Sequence, residues 1–242
     1  MTSNHASDFQ SRLKAAIPGG AHTYSRGSDQ YPVNCPPIFS HGLGAYVYTP
    51  NNERFLDYGM GLRAVTLGYS NSQVNRAALN CIESGNNLTR PSLVELEAAE
   101  LLINTIPSVD MVKFAKNGSN VTTAAIKLAR AYTGRIYIAI PRQHPFFSFD
   151  DWFISSTPLI RGIPPELAKY TLTFDYNDIN SLVSLFHQYP DDIAAVMLEP
   201  ATSETPLYST AVQSKELSCF TASPTNNANF LNDIQDLCKN YN

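Results

Sequence analysis

The sequence predicts an α/β fold in which a large, mainly parallel sheet is flanked by helices. Segments whose apolar residues recur at helical spacing alternate with short apolar runs, such as residues 136–140 and 193–198, that are typical of buried strands. The chain has 242 residues, which is enough for one large domain or two small ones with a real hydrophobic core.

The elements follow in order, each with its own start or stop signal. In the first half the predicted elements are a helix at 7–17, strands at 44–48 and 54–58, a helix at 72–84 and a helix opened by Pro91. In the second half they are a strand at 111–115, a helix ended by Gly134, a strand at 136–140, a helix at 178–187, a strand at 193–198 and a helix at 230–241. Pro18, Gly19 and Gly20 end the first helix, and Pro50, Asn51 and Asn52 mark the turn between the first two strands.

Residues 202–228 break this pattern because they are dominated by polar side chains with little periodicity. We expect a long surface loop or a disordered insertion there, which is unusual inside a compact domain. The helix that follows would normally return the chain to a sheet.

The tight turn Gly118-Ser119-Asn120 predicts an anion site. It connects an apolar run to a helix, and a helix N-terminus offers unpaired backbone N–H groups and a partial positive charge. We expect Ser119 or Asn120 to cap the helix and Gly118 to let the backbone come close to a ligand. The alternative is an ordinary capped helix with no ligand.

Composition excludes several classes of function. A net charge of −4 and a pI near 5.7 argue against nucleic-acid or anionic-membrane partners, and no apolar run is long enough to span a membrane. The N-terminal ten residues lack the features of a signal peptide. The four cysteines lie far apart with no CxxC pair, which is typical of reduced cytoplasmic residues and not of a disulfide framework or a metal site.

Several motifs, in this order, make the sequence resemble the class III pyridoxal-phosphate aminotransferases, and within them the glutamate-1-semialdehyde aminomutase branch. They are IPGGAHTYSRG, GAYVYTPNNERFLDYGMGL, MVKFAKNGSNVTTAAIKLARAYTGR and AAVMLEP, and the resemblance covers residues 17–206. It implies an incomplete type I fold of the enzymes that use pyridoxal 5'-phosphate (PLP). Residues 1–70 would contribute to the small domain and the active-site entrance, and residues 71–242 would form the truncated large domain. It also implies a homodimer with active sites at the subunit interface, or pairing with a complementary chain.

The resemblance assigns roles to particular residues. Gly118, Ser119 and Asn120 would bind the cofactor phosphate, where the family has a Ser-Gly-Thr turn. Arg26 would receive the substrate carboxylate through paired, charge-assisted hydrogen bonds. Without the resemblance, a solvated loop arginine is the better interpretation of that residue.

Two further roles concern the cofactor ring. The family's Tyr-His-Gly motif is absent here. Phe146 would therefore stack on the cofactor ring, with Phe147 or His144 as alternatives. This segment could equally be a loop packed on the core or a dimer contact. Glu199, at the carboxyl end of a buried strand, would lie near the cofactor and help to organise the site.

No catalytic residue is predicted in these 242 residues. PLP chemistry needs a lysine amine and an acid at the pyridine nitrogen, and none of the seven lysines stands in a context that matches the family. We therefore expect this chain alone to be inactive.

Three hypotheses follow. The chain is the N-terminal part of an aminotransferase or aminomutase acting on a carboxylate-bearing amino, keto or aldehyde substrate. Alternatively, it is a non-catalytic derivative that binds PLP or another phosphate compound, or that pairs with a full-length subunit. The third and remotest hypothesis is an unrelated nucleotide-binding module, because neither of the nucleotide-binding motifs GxGxxG and GxxxxGK[ST] is present.

Overall fold

The computed structural model describes residues 3–143, 146–201, 204–207 and 229–241. The chain divides into two compact units, Met1–Ala98 and Ala99–Asn242. The expected boundary near residue 70 stays a prediction. Within the described ranges no helix is long and apolar enough to cross a membrane.

The elements agree with the predicted order. They are α1 (Ser3–Ala16), β1 (His41–Leu43), β2 (Tyr46–Tyr48), β3 (Arg54–Leu56), α2 (Ser72–Glu83), α3 (Leu93–Thr105), α4 (Gly118–Thr133), β4 (Tyr137–Pro141), α5 (Asp151–Ile154), β5 (Thr171–Phe174), α6 (Ile179–Gln188), β6 (Ile193–Val196) and α7 (Phe230–Asn240). Every predicted helix overlaps an observed one, and four of the five predicted strands are present. Strands β1 and β5 and the short helix α5 were not predicted.

The first unit contains a small antiparallel sheet in the order β1-β2-β3. Its predicted turn is confirmed by Asn52, whose φ of 63° lies in the left-handed region that asparagine tolerates. The ring of Tyr69 packs on Gly42 so closely that a Cβ there would lie 2.5 Å from the ring. This approach requires glycine at position 42.

Side-chain caps begin both helices of this region. Asn71 accepts hydrogen bonds from the N–H groups of Gln73 and Val74 at the start of α2. Ser92 and Glu95 form a reciprocal capping box before α3, with Ser92 N–H donating to Glu95 Oε2 at 2.6 Å. The prediction that Pro91 opens this helix is therefore wrong, because Pro91 precedes the capping residue Ser92 and the helix begins at Leu93.

The second unit is built on a parallel sheet in the order β5-β4-β6. Successive side chains of β4 point to opposite faces of the sheet. Ile138 and Ile140 pack with Ile126 of α4 on one face, whereas Ala139 packs with the α6 and α7 side chains on the other. The predicted α/β architecture is confirmed here.

The strand predicted at 111–115 is not formed, and most of these residues are exposed. A strand needs a neighbour that pairs with its backbone, and the described residues provide none beside this segment. The apolar pattern predicted an extended run but not its partner.

Of the polar segment predicted at 202–228, residues 202–203 and 208–228 lie outside the described residues, but the chain on either side of residues 208–228 is anchored. Phe230 N–H donates to the carbonyl oxygen of Leu207 at 3.0 Å. Asn177 bonds both the N–H of Leu207 and the carbonyl oxygen of Thr205. The chain therefore enters and leaves this segment at one place.

Arg135 ties the end of α7 to the start of β6. Its Nη2 donates to the carbonyl oxygen of Tyr241 at 2.8 Å, and its Nη1 donates to that of Ile193 at 3.4 Å. The side chain is only 16% exposed, so these bonds are shielded from water.

Replacing Arg135 with alanine is expected to lower the free energy of unfolding by about 1–3 kcal/mol, because two partly buried carbonyl groups lose a charged donor. Arg142→Ala is the matched control. Arg142 pairs with Asp175 at 3.2 Å at the surface, with side chains 62% and 44% exposed, and its loss is expected to cost less than about 1 kcal/mol. Urea unfolding of both variants measures the difference; equal losses would contradict the proposed role of Arg135.

Burial against the α6 and α7 core raises the pKa of the Cys238 thiol to about 11. The thiolate is the reactive form, so iodoacetamide near pH 8 is expected to alkylate Cys81 of α2 well before Cys238 in the folded chain. In urea the two rates should converge. Peptide mass spectrometry measures both, and comparable rates in the folded chain would contradict the burial argument.

Candidate functional site

The N-terminus of α4 is capped by Asn117. This residue is extended, with φ −157° and ψ 171°, and its Oδ1 accepts the N–H of Asn120 at 2.9 Å. The prediction that Ser119 or Asn120 is the cap is wrong, because both lie inside the first helical turn. Asparagine is among the strongest capping residues, and this signal could have identified Asn117 from the sequence.

Two backbone donors remain open at this turn, defined as residues 117–120. No described residue accepts a hydrogen bond from the N–H of Gly118 or of Ser119. A Cβ built on Gly118 would meet no atom within 4 Å, so the space beside the turn is free. The 117–120 turn can therefore receive an anion, which the helix dipole would stabilise.

The side chain of Ser119 turns inward. It is 9% exposed, and its Oγ accepts the N–H of Phe149 at 3.2 Å. The hydroxyl of Thr122, one turn further along α4, lies 3.0 Å from the carbonyl oxygen of Phe147 and 3.0 and 3.1 Å from those of Gly118 and Ser119, which share its one hydrogen. These bonds bring the residues that follow β4 against the first turns of α4.

Of the ring-stacking candidates, Phe146 has the most available face. Its side chain is 57% exposed, and it meets Phe153 edge-on with ring centroids 5.6 Å apart. Phe147 is half-buried against Phe153, and His144 lies outside the described residues. The geometry favours Phe146, and its stacking role stays a prediction.

Glu199 is half-buried just after β6. Because β4 and β6 pair in parallel, their carboxyl ends meet at one edge of the sheet. The hydroxyl of Tyr176 donates to the carbonyl oxygen of Pro200 at 2.9 Å and holds the chain there. Glu199 and the residues following β4 therefore share the edge at which ligands bind in such sheets.

Arg26 belongs to the first unit and lies at the end of the short helix Tyr24–Arg26. It is exposed and makes no ion pair with any residue in the described ranges. The hydroxyl of Tyr69 donates to Asp57 at 2.5 Å, which raises the pKa of Tyr69 and lowers that of Asp57. The nearby charge of Arg26 lowers the pKa of Tyr69 by a smaller amount. Because no ion-pair partner within the described ranges occupies the guanidinium group, it can bind a carboxylate.

The described residues contain no group of three or more His, Cys, Asp or Glu side chains that could hold a metal ion. The 117–120 turn, the exposed face of Phe146 and Glu199 are the candidate ligand-binding features of the second unit.

Comparison with known proteins gives concordant results. Residues 27–215 match the family described as Aminotransferase class-III. The chain is 34% identical, over 192 residues, to the glutamate-1-semialdehyde 2,1-aminomutase of Alkaliphilus metalliredigens (strain QYMF), covering 76% of this chain and 43% of that protein.

Two solved structures are also similar. The PLP internal aldimine form of the FumI protein of Sphingopyxis sp. MTA144 gives a TM-score of 0.73 at 30% identity and covers 80% of this chain and 46% of that one. An omega-transaminase from Sphaerobacter thermophilus gives a TM-score of 0.76 at 27% identity, with coverage of 86% and 50%. The chain thus spans about half the length of these proteins.

Replacing Gly118 with alanine is expected to leave the melting temperature in phosphate-free buffer unchanged or slightly higher, because the new methyl group meets no protein atom. The methyl group would, however, occupy the space beside the open N–H groups. Phosphate should therefore raise the melting temperature of the original chain and raise that of the variant much less. Equal phosphate-dependent shifts would show that phosphate binds elsewhere.

Proposed function

The chain belongs to the class III aminotransferase family, and from this premise we propose that it binds pyridoxal 5'-phosphate and forms part of an aminotransferase or aminomutase site. The observation that carries the proposal is the pair of open N–H groups at the 117–120 turn, together with the exposed ring of Phe146 on the segment that hydrogen-bonds to α4. This arrangement lies on the α/β fold shared with solved transaminases, of which the chain carries about half.

The second unit would hold the cofactor by its phosphate. The N–H groups of Gly118 and Ser119 point out of the helix end and suit a doubly charged anion. The amide oxygen of Asn117 already accepts the N–H of Asn120 and fixes the turn before any ligand arrives. When bound, PLP supplies an aldehyde and an electron-withdrawing ring.

Phe146 and Glu199 would complete this half of the site. The exposed face of Phe146 can stack on an aromatic ring and exclude water from it. Glu199 lies at the same sheet edge and would orient polar groups around the ring. Phe146 has no hydroxyl group, so this side chain provides stacking without a hydrogen bond.

Arg26 would bind the carboxylate of an amino, keto or aldehyde substrate. Its free guanidinium group presents a planar fork of donors that matches a carboxylate in two parallel hydrogen bonds. We propose that the complete protein exchanges or moves an amino group on such a substrate.

We also propose that this chain alone is inactive, since none of its seven lysines matches the family's Schiff-base position. A non-catalytic derivative that pairs with a full-length subunit would use the same phosphate turn. A homodimeric or paired assembly and a cytoplasmic location belong to the same proposal.

The test is a titration of the purified chain with PLP and with pyridoxal, which lacks the phosphate. PLP is expected to bind at least about tenfold more tightly, because only PLP uses the helix N-terminus. Borohydride reduction followed by mass spectrometry should find no lysine adduct, and transamination should be absent. Equal affinity for both compounds would refute the phosphate turn, and an adduct on one specific lysine would refute inactivity.

A further inference from the structure

The hydroxyl group of Thr123 joins α4 to the segment that follows β4. Its Oγ1 accepts the indole N–H of Trp152 at 2.8 Å and donates to the carboxylate of Asp150. The fully buried Oγ of Ser148 lies 3.4 Å from the same oxygen and accepts the N–H of Asp150 at 3.1 Å. One hydrogen and two lone pairs are thereby all engaged, with Ser148 as the second donor.

Thr123 belongs to a row of three hydroxyl side chains, here called the seam, that join α4 to the segment following β4. Ser119, Thr122 and Thr123 stand at positions i, i+3 and i+4 of α4 and therefore share one face of the helix. The first two bond the backbone at Phe149 and Phe147. Thr123 differs from both because its hydroxyl bonds three side chains of this segment at once, those of Ser148, Asp150 and Trp152.

The seam has a direct bearing on Phe146, which is the residue next to the first anchored carbonyl. Its ring also contacts Phe153, whose neighbour Trp152 is 9% exposed and held by Thr123. The position of the Phe146 ring relative to α4 is therefore fixed by the bonds of the seam and by the packing of Phe153.

We propose that Thr123 is a positioning residue for the cofactor, which keeps Phe146 at a constant distance from the 117–120 turn. This inference rests on the proposed function. A phosphate group and an aromatic ring that belong to one rigid ligand must reach both places together, so a loosened segment weakens binding of the ring without changing the helix end.

Two substitutions of Thr123 test the proposal. Thr123→Val removes the hydroxyl and keeps the shape, whereas Thr123→Ser keeps the hydroxyl. Thr133→Val is the matched control, because Thr133 is on the same helix but bonds the carbonyl oxygen of Ala129 and the N–H of Arg135. Trp152 is the only tryptophan of the chain, so quenching of its fluorescence, scaled to each variant's own starting intensity, follows PLP binding.

Three readouts are needed: PLP affinity, the circular dichroism induced in bound PLP, and the rise in melting temperature with inorganic phosphate. Thr123→Val is expected to bind PLP roughly tenfold more weakly and to lose most of the induced signal, while its response to phosphate is retained. Thr123→Ser should restore affinity and signal, and Thr133→Val should match the original chain.

The outcomes separate the two proposals. Unchanged PLP affinity and induced signal in Thr123→Val, in a chain that binds PLP, would overturn the role of Thr123 alone. Loss of the phosphate response together with PLP binding would also overturn it, since Thr123 would then merely support the helix. Failure of the original chain to bind PLP would overturn the proposed function itself.

Discussion

Parallel pairing of β4 with β5 on one side and β6 on the other determines where the candidate ligand-binding features of the second unit lie. The carboxyl ends of the three strands meet at a single edge. Helix α4 connects to β4 through Gly134, whose φ of 71° ends the helix and reverses the chain. The N-terminus of α4 consequently lies at the same edge as Glu199 and the residues that follow β4.

In the first turns of α4 the backbone and the side chains have different roles. The backbone N–H groups of Gly118 and Ser119 donate to no described residue, whereas the hydroxyl groups of Ser119 and Thr122 face the protein. The candidate site needs both sets of groups, because the N–H groups can bind an anion but do not position the residues around it. The hydroxyl groups of Ser119 and Thr122 hold the segment that follows β4 beside the helix end.

Local signals in the sequence were sufficient for much of this arrangement. Regular apolar spacing predicted the helices, and the position of Glu199 after an apolar run placed it at the sheet edge. The capping preference of asparagine was also a usable signal at Asn117, although the Asn117-Gly118 pair was interpreted as a turn, and the extended backbone of Asn117 confirms the cap. Interactions distant in sequence were not predictable, because Thr123 and Trp152 are 29 positions apart and no periodicity relates them.

The hydrogen bond between Leu207 and Phe230 has a consequence for how the length of this chain can change in evolution. The chain returns to the point it left, so residues added or removed between these anchors need not displace the strands or α7. This position is thus open to the evolutionary gain and loss of sequence, and it is a natural place to insert an affinity tag or a fluorescent label.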